Sequence, residues 1–224
     1  MVPVLAIDVG GSHVKALASG ETVPRRADSG PAFTPEQMVE AVKDLAEGWT
    51  WEVVSIGVPT PVHGGRIVRD PVNLGTGWVG FDFGAAFGKP TRIVNDAAMQ
   101  ALGSYDGGTM LFLGLGTGLG SALVADGLVQ PMELGHLPYR KKTFESYVGE
   151  AGLELRGKKR WRQDVVDVIE RLSAALEPDY VILGGGNADK VRELPPNVRL
   201  GVNANAFVGG FRLWDPDASA RIPG

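Results

Sequence analysis

The chain has 224 residues, 44% of them hydrophobic, a composition that allows one sizeable core or two small lobes and argues against a disordered or fibrous protein. Its 22 Lys and Arg against 26 Asp and Glu give a net charge of -4, which excludes a general basic field that would collect nucleic acid. Cysteine is absent from the sequence, which excludes disulfides, thiolate zinc sites and cysteine nucleophiles, and we expect a reduced, cytoplasmic protein.

Neither the N-terminus nor the longest uncharged stretch has the pattern of a membrane segment. The first Lys is Lys15, so no cationic region precedes the apolar run at the N-terminus, as it would in a secretory signal. The stretch from Gly107 to Ala125 carries no charge and approaches the roughly 20 residues of a membrane span. Six glycines interrupt it, however, and they indicate two strands around a glycine turn. We therefore predict no contact with a membrane.

The first half of the chain predicts short strands, one longer helix and a short helix that starts at Ala97. Thr34 as the N-cap and Pro35 at the first helical position predict a helix over about 35–48. Apolar or alternating runs predict strands at 3–8, 13–19, 22–26, 53–58 and 91–94. The first two flank Gly10-Gly11 as a hairpin, and the last runs into the polar pair Asn95-Asp96.

The second half repeats this alternation of strands and helices. Strands are predicted at about 109–115, 119–125 and 179–183, and helices at about 159–176 and from about 204. Strands that alternate with helices are typical of an α/β architecture with mixed sheets.

An internal repeat appears when residues 7–17 are laid over residues 113–123, which places Gly10 on Gly116. Each segment is an apolar strand, a glycine turn with a hydroxyl side chain, and a second apolar strand. Glycine turns leave backbone N–H groups free to point at anionic oxygens, so two such turns that face each other would clamp a phosphate chain. Either turn alone is also compatible with an ordinary hairpin.

Two other phosphate-binding motifs do not match. A P-loop needs a Gly-Lys-Ser or Gly-Lys-Thr run, whereas Gly157-Lys158 is followed by Lys159. A dinucleotide fingerprint that starts at Gly116 has Ser121 in place of its third glycine, and a strand pattern follows it rather than a helix. Neither a P-loop nor a Rossmann site is predicted.

Five short motifs follow one another along nearly the whole chain: Asp8-Val9-Gly10-Gly11-Ser12, Asn95-Asp96-Ala97, Gly116-Thr117-Gly118-Leu119-Gly120, Glu133-Leu134-Gly135-His136 and Leu183-Gly184-Gly185-Gly186. In this order they resemble the ROK family of sugar kinases, and within it the polyphosphate glucokinases. The resemblance implies an actin-like ATPase (ribonuclease H-like) fold with two α/β lobes and a cleft between them. We expect lobes at 1–105 and 106–224, with the last helix packing back across both.

The resemblance also implies a role for individual residues. Asp96 matches the general base that takes the proton of the sugar hydroxyl, and Asp8 matches the residue that helps to hold Mg²⁺, directly or through water. The expected sugar ligands are Asn73, Asn95, Glu133, His136 and Glu145. The expected ligands of the donor, polyphosphate or ATP, are Asp8, Gly10, Gly11, Ser12, Lys15, Gly116, Thr117, Gly118, Gly120, Gly184, Gly185, Lys158 and Lys159.

Several of these residues have a structural alternative. Asn95 or Asp96 could serve only as the N-cap of the following helix, and Glu145 could be a solvated glutamate at a helix start. Trp78, in the segment expected to close over the sugar, could be a core residue. In many members of the family the histidine that matches His136 binds zinc together with three cysteines. This chain has no cysteine, so we predict no zinc site.

The run from Arg156 to Arg162 is the one local concentration of positive charge. Cations at a helix start oppose the helix dipole, which invites an anionic partner. This run could contact a polyanion or could have only a structural role. Contact with nucleic acid is a third alternative, which we do not adopt.

Three other functions are alternatives to that of a glucose kinase. Transcriptional regulators of the same family carry a DNA-binding segment before the first phosphate motif, and Asp8 leaves no room for one. A sugar-independent actin-like ATPase or phosphate-binding protein would not need Glu133 and His136. Other hexoses, such as mannose, fructose or N-acetylhexosamines, stay open as acceptors because discrimination rests on few contacts. A homodimer is common in the family.

Overall fold

The computed structural model describes residues 2–202 and 204–223. The elements of the first half are β1 (Val4–Val9), β2 (His13–Ala18), β3 (Arg25–Asp28), α1 (Pro35–Leu45), β4 (Val53–Val58), β5 (Val62–His63), β6 (Arg66–Ile67), α2 (Phe83–Phe87), β7 (Thr91–Asn95) and α3 (Asp96–Ser104). Those of the second half are β8 (Met110–Leu115), β9 (Leu119–Ala125), β10 (Leu128–Met132), β11 (Pro138–Tyr139), β12 (Lys142–Thr143), α4 (Phe144–Val148), α5 (Glu150–Leu176), β13 (Tyr180–Gly184), β14 (Val198–Leu200) and α6 (Asn205–Arg212).

Two five-stranded sheets with the same topology follow each other along the described chain. Their strand orders are β3-β2-β1-β4-β7 and β10-β9-β8-β13-β14. The central strand of each sheet, β1 or β8, is antiparallel to the strand that follows it along the chain, β2 or β9. It is parallel to its other neighbour, β4 or β13. The internal repeat predicted at 7–17 and 113–123 is therefore confirmed, because it corresponds to the equivalent hairpins β1–β2 and β8–β9.

Helix α1 begins where the sequence predicts and covers the first sheet. The Thr34 side chain accepts a hydrogen bond from the Gln37 N–H, and the Gln37 side chain accepts one from the Thr34 N–H, which completes a capping box. Met38 and Val42 on this helix are fully buried, in one cluster with Ile7 of β1 and Ile56 of β4. Burial of this apolar face stabilises the helix against the sheet.

Helices α3 and α6 lie between the two sheets and connect the halves of the chain. A Cβ on Gly103 would overlap the Asn205 carbonyl, and one on Gly209 would overlap that of Met99, so the two backbones approach as closely as glycine permits. Helix α3 also contacts β9, and α6 contacts β1. The Ser55 hydroxyl of β4 donates to the Gly210 carbonyl over 2.6 Å. The C-terminal helix is thus fixed to the first sheet.

Helix α5 differs from the prediction, which began it at about residue 159. It begins at Glu150, and Gly157, with φ 71° and ψ 158°, divides it into two segments. Gly149 before Glu150 supplies no side-chain cap, and the Glu150 N–H donates instead to the Gly116 carbonyl over 3.0 Å. The first segment is therefore held by a distant loop, which leaves no local signal in the sequence.

The uncharged stretch from Gly107 to Ala125 contains the antiparallel strands β8 and β9, as predicted. Among the described residues, no helix combines the length and the apolar character that crossing a membrane requires.

Candidate active site

A cavity of about 650 Å³ lies between the two sheets and brings most of the predicted site residues together. The predicted residues that line it are Asp8, Gly10, Gly11, Lys15, Asn73, Asn95, Asp96, Gly116, Thr117, Gly118, Gly120, Glu133, His136, Glu145 and Gly185. Ser12, Gly184, Lys158 and Lys159 do not line it. We refer to this cavity as the cleft.

The first glycine turn connects β1 to β2 at one side of the cleft. The Gly10 N–H donates to the His13 carbonyl, and the Ser29 hydroxyl donates to the Gly10 carbonyl over 2.6 Å. A Cβ on Gly11 would lie 3.2 Å from the Cβ of Asn73, so a glycine lets Asn73 approach the turn. The Ser12 side chain is exposed, and the backbone of Ser12 accepts from the Ser29 N–H.

The second glycine turn, between β8 and β9, is supported by the start of α5. Besides the bond from Glu150, a Cβ on Gly149 would lie only 2.5 Å from the Thr117 carbonyl oxygen. A Cβ on Gly118 would lie 2.8 Å from Oε2 of Glu145. The turn is therefore held rigidly, and Glu145 lies directly beside it.

The structure shows which residue of the Asn95-Asp96 pair caps the following helix. Oδ1 of Asn95 accepts from the Ala98 N–H over 3.2 Å, and Nδ2 donates to the Thr60 carbonyl over 3.4 Å. Asn95 is thus the N-cap of α3, with both ends of its amide engaged. Oδ1 of Asp96 accepts from the Ala97 N–H over 2.8 Å, and no hydrogen bond to Oδ2 is formed by the described residues.

The surroundings of Asp96 favour its neutral form. Its pKa is raised to about 7, first by burial and then by the negative charges of Asp8 and Glu133, against the lowering effect of the Ala97 N–H. Burial also raises the pKa of Asp8, against the influence of Lys15, whose Nζ lies 3.8 Å from Oδ2 of Asp8. A carboxyl that titrates near neutral pH is suited to act as a general base.

Glu133, His136 and Glu145 form a polar wall on the second-sheet side of the cleft. Nδ1 of His136 lies 3.9 Å from Oε2 of Glu133, and Nε2 lies 3.7 Å from Oε1 of Glu145. Both distances exceed a hydrogen bond, so these groups keep their hydrogen-bonding capacity for a ligand with several hydroxyls. Within the described ranges, no three His, Asp or Glu side chains are grouped to hold a metal ion.

Comparison with known proteins decides the family. No protein-family model matches the chain. The structure is similar to that of the inorganic polyphosphate/ATP-glucomannokinase of Arthrobacter sp. strain KM, with a TM-score of 0.81, 25% identity and coverage of 94% of this chain and 97% of that one. It is also similar to a ROK family glucokinase from Streptomyces griseus, solved with glucose and AMPPNP, with a TM-score of 0.75, 18% identity and coverage of 94% and 98%.

The sequence is 30% identical over 214 residues to the polyphosphate glucokinase of Mycobacterium tuberculosis. This alignment covers 85% of this chain and 80% of that relative. The chain belongs to the ROK family of sugar kinases. It is an enzyme, a sugar kinase of the glucokinase type, and its two sheets form the actin-like ATPase fold that the sequence predicts.

The triple glycine of this ROK kinase mainly satisfies packing. Gly184 does not line the cleft, and a Cβ there would lie 2.8 Å from the ring of Phe112. Gly185 has φ 84°, and a Cβ there would overlap the Leu115 carbonyl. Only Gly185 and Gly186 face the cleft, so Gly184 as a donor ligand stays a prediction without support from the geometry.

Other residues line the cleft of this ROK kinase without having been predicted: Thr60, Arg69, Val72, Gln100 and Ser146. Gln100 stands four residues after Asp96 on α3, and this spacing places both on one helix face. The helical period could therefore have identified it. Trp78 is fully buried, with its ring 6.0 Å from that of Phe83, which supports the core alternative.

Proposed function

We propose that this ROK kinase transfers a phosphoryl group from polyphosphate or ATP to the 6-hydroxyl of glucose, with Asp96 as the general base. The observation that carries the proposal is the position of Asp96. This carboxyl has a pKa of about 7 and lines the same cleft as the two glycine turns and the polar wall. The names of the Mycobacterium tuberculosis and Arthrobacter relatives support the donors and the acceptor class.

Asp96 accepts the proton of the sugar hydroxyl while that oxygen forms a bond to the terminal phosphorus of the donor. The bond between this phosphorus and the bridging oxygen breaks, and the shortened donor leaves with the electron pair. Glu133, His136, Glu145 and Asn73 hold the remaining hydroxyls, which fixes the attacking oxygen in line. Asn95 contributes indirectly, because it caps the helix that begins with Asp96.

The donor lies against the two glycine turns, whose N–H groups and Lys15 face its anionic oxygens. Asp8 presents an oxygen ligand at the floor of the cleft, and Mg²⁺ in kinases is held by one or two carboxylates together with substrate phosphates. The residues present therefore fit Mg²⁺, which neutralises charge on the transferred group when bound. Asp8 would hold it, directly or through water.

Cationic side chains continue from the donor end of the cleft along α5 and favour a long anionic donor. Gly186 lines the cleft, and four residues later the Lys190 carbonyl accepts a hydrogen bond from Nε of Arg162 over 2.5 Å. Lys158 stands one helical turn before Arg162, and Lys158 and Lys159 are exposed. We call Lys158, Lys159, Arg162 and Lys190 the basic row.

The basic row gives the phosphates of a polyphosphate chain beyond the glycine turns a surface to contact. The cations at Lys158 and Lys159 stand in the first turn of the second segment of α5, where they oppose the helix dipole. A bound polyanion would remove that unfavourable charge. The row lies outside the cleft, so it supports polyphosphate more than a nucleotide.

The proposal is tested by hexose 6-phosphate formation from glucose and Mg²⁺, run with ATP and with nucleotide-free polyphosphate. We expect turnover by the native protein and a loss of about 100-fold or more in kcat for Asp96→Asn, which keeps the shape but cannot accept a proton. Asp28→Asn, at an aspartate that is 97% exposed, is the matched control and should keep full activity.

No hexose phosphate with either donor, from folded protein, would overturn the proposal. Mannose is the second acceptor to include, because the Arthrobacter neighbour is a glucomannokinase. Nucleotide or polyphosphate hydrolysis that does not depend on any hexose would favour the sugar-independent phosphate-binding alternative. The homodimer, the cytoplasmic location and the two lobes at 1–105 and 106–224 stay predictions.

A further inference from the structure

Arg69 is a cation of the cleft to which nothing in the family resemblance assigns a role. It follows β6 by two residues, is exposed, and lines the cleft together with Asp8, Gly10 and Lys15. Among residues 2–202 and 204–223, no carboxylate lies within 4.0 Å of its guanidinium, whereas Lys15 is paired with Asp8. Its charge is therefore available to a ligand.

The backbone of Arg69 is held from both sides, although its side chain is free. The Thr60 hydroxyl donates to the Arg69 carbonyl over 2.8 Å, and the Thr60 carbonyl in turn accepts from Asn95. The next residue, Asp70, accepts from the N–H groups of Trp78 and Val79 over 2.8 and 3.1 Å. Arg69 is thus tied to the strand end that carries Asp96, as expected of a residue that must be placed accurately.

The charge of the cleft favours such a cation. The carboxylates that line it are Asp8, Asp96, Glu133 and Glu145, and the permanent cations that line it are Lys15 and Arg69. An anionic phosphoryl group that enters this site is repelled by the carboxylates unless cations compensate. A guanidinium is the side chain best suited to hold phosphate oxygens, because its N–H groups match them in pairs.

The position of Arg69 points to the transferred group rather than to the distant phosphates of the donor. The loop that follows it brings Asn73 against Gly11 of the first glycine turn, on the side of the cleft that holds Asp8. We propose that Arg69 binds the phosphoryl group during its transfer from donor to sugar and stabilises the charge on its equatorial oxygens. This inference rests on the proposed function and names a residue that takes part in the same reaction.

The test compares Arg69→Ala and Arg69→Lys with Arg66→Ala. Arg66 is an exposed arginine three residues before Arg69, and it lines a different cavity and not the cleft. We expect Arg69→Ala to lower kcat by about 100-fold with either donor, since the loss of one preorganised donor group costs that much. Arg69→Lys should retain an intermediate kcat, and Arg66→Ala should retain that of the native enzyme.

Three readouts separate a role in transfer from a structural role. The sugar Kd, measured by titration without donor, should change less than threefold in Arg69→Ala, and free guanidinium should restore part of its kcat. Binding of the hexose 6-phosphate product should weaken at least tenfold. Native-like kcat in Arg69→Ala, or a loss confined to the sugar Kd, would overturn this proposal while the native enzyme still turns over. Absence of turnover in the native enzyme would instead count against the proposed function.

Discussion

At the level of single residues, burial gives Asp96 a pKa that suits the role of general base that we propose for it. A base acts only when deprotonated, so with a pKa of about 7 we expect kcat/KM to be low below pH 6 and to rise to a plateau above pH 8. An aspartate with the usual pKa of 3.8 would give no such rise in this range. The measurement is a profile of kcat/KM from pH 5 to 9 at saturating Mg²⁺.

Glu133→Gln tests whether Asp96 is the titrating group, because it removes a negative charge that raises the pKa of Asp96 and leaves the proposed Mg²⁺ ligand Asp8 in place. The rising limb should move to lower pH in this variant, whatever happens to the absolute rate. A limb that stays in place would assign the titration to the donor phosphate, and a flat profile would contradict the raised pKa of Asp96.

The residues that the sequence identified and those that it missed differ in a physical way. Asp96 and Asn95 follow a buried strand and begin a helix, and both patterns are local in the sequence. Arg69 lines the cleft in a loop that hydrogen bonds of the Thr60 hydroxyl and the Asp70 carboxylate hold in place. The helical and strand periodicities of the sequence do not indicate such contacts.

At the level of elements, the crossing of α3 and α6 depends on two glycines. A Cβ on Gly209 would overlap the Met99 carbonyl and lie 3.0 Å from the Gly103 N, so the helices must separate to admit it. We expect Gly209→Ala to destabilise the protein by about 2 kcal/mol, a fall in Tm of about 4–8 °C at this chain length. Thermal unfolding measures it.

Gly186→Ala is the matched control for this prediction. A Cβ there has nothing within 4 Å, so its Tm should stay within about 1 °C of the native value. Equal Tm values for the two variants would show that the helices are not held at this distance.

Helix α5 shows why some element boundaries escape sequence reasoning. The prediction placed the helix start close to Gly157, where the positive φ does begin the second segment. The segment before it begins with the bond from the Glu150 N–H to the distant Gly116 carbonyl, and Trp161 of the second segment donates to the Val148 carbonyl of α4 over 2.8 Å. A start satisfied by tertiary contacts carries no capping residue for the sequence to show.

At the level of the whole molecule, the repeat in the sequence predicted the equivalent hairpins at the centres of the two sheets, whereas the two-lobed fold was implied by the family resemblance. The repeat did not predict the outer strands of the second sheet. β10 contains Pro131 and β14 has only three residues, and proline is tolerated because β10 is an edge strand. Strong strand patterns therefore fixed the centre of each sheet, and its edges depend on neighbours.

Because the chain has a net charge of -4, we expect the binding of a polyanionic donor to depend on the local basic row. We expect Lys158→Ala together with Lys159→Ala to raise KM for long polyphosphate by about 5-fold or more, at up to 1 kcal/mol for each exposed contact, and to leave KM for ATP within twofold. Lys43→Ala together with Lys89→Ala, exposed lysines of the first sheet's half of the chain, is the matched control and should change neither.

Ionic strength gives an independent measure of the same contacts, because salt screens exposed charges. Between 50 and 300 mM salt at fixed free Mg²⁺, KM for long polyphosphate should rise more steeply than KM for ATP, and the double variant of Lys158 and Lys159 should lose most of this difference. Short polyphosphate, which does not reach beyond the glycine turns, should behave as ATP does. A polyphosphate chain that contacts more cations must lose more binding when salt screens them. If KM for long and for short polyphosphate rises equally with salt in the native enzyme, the basic row has a structural role instead.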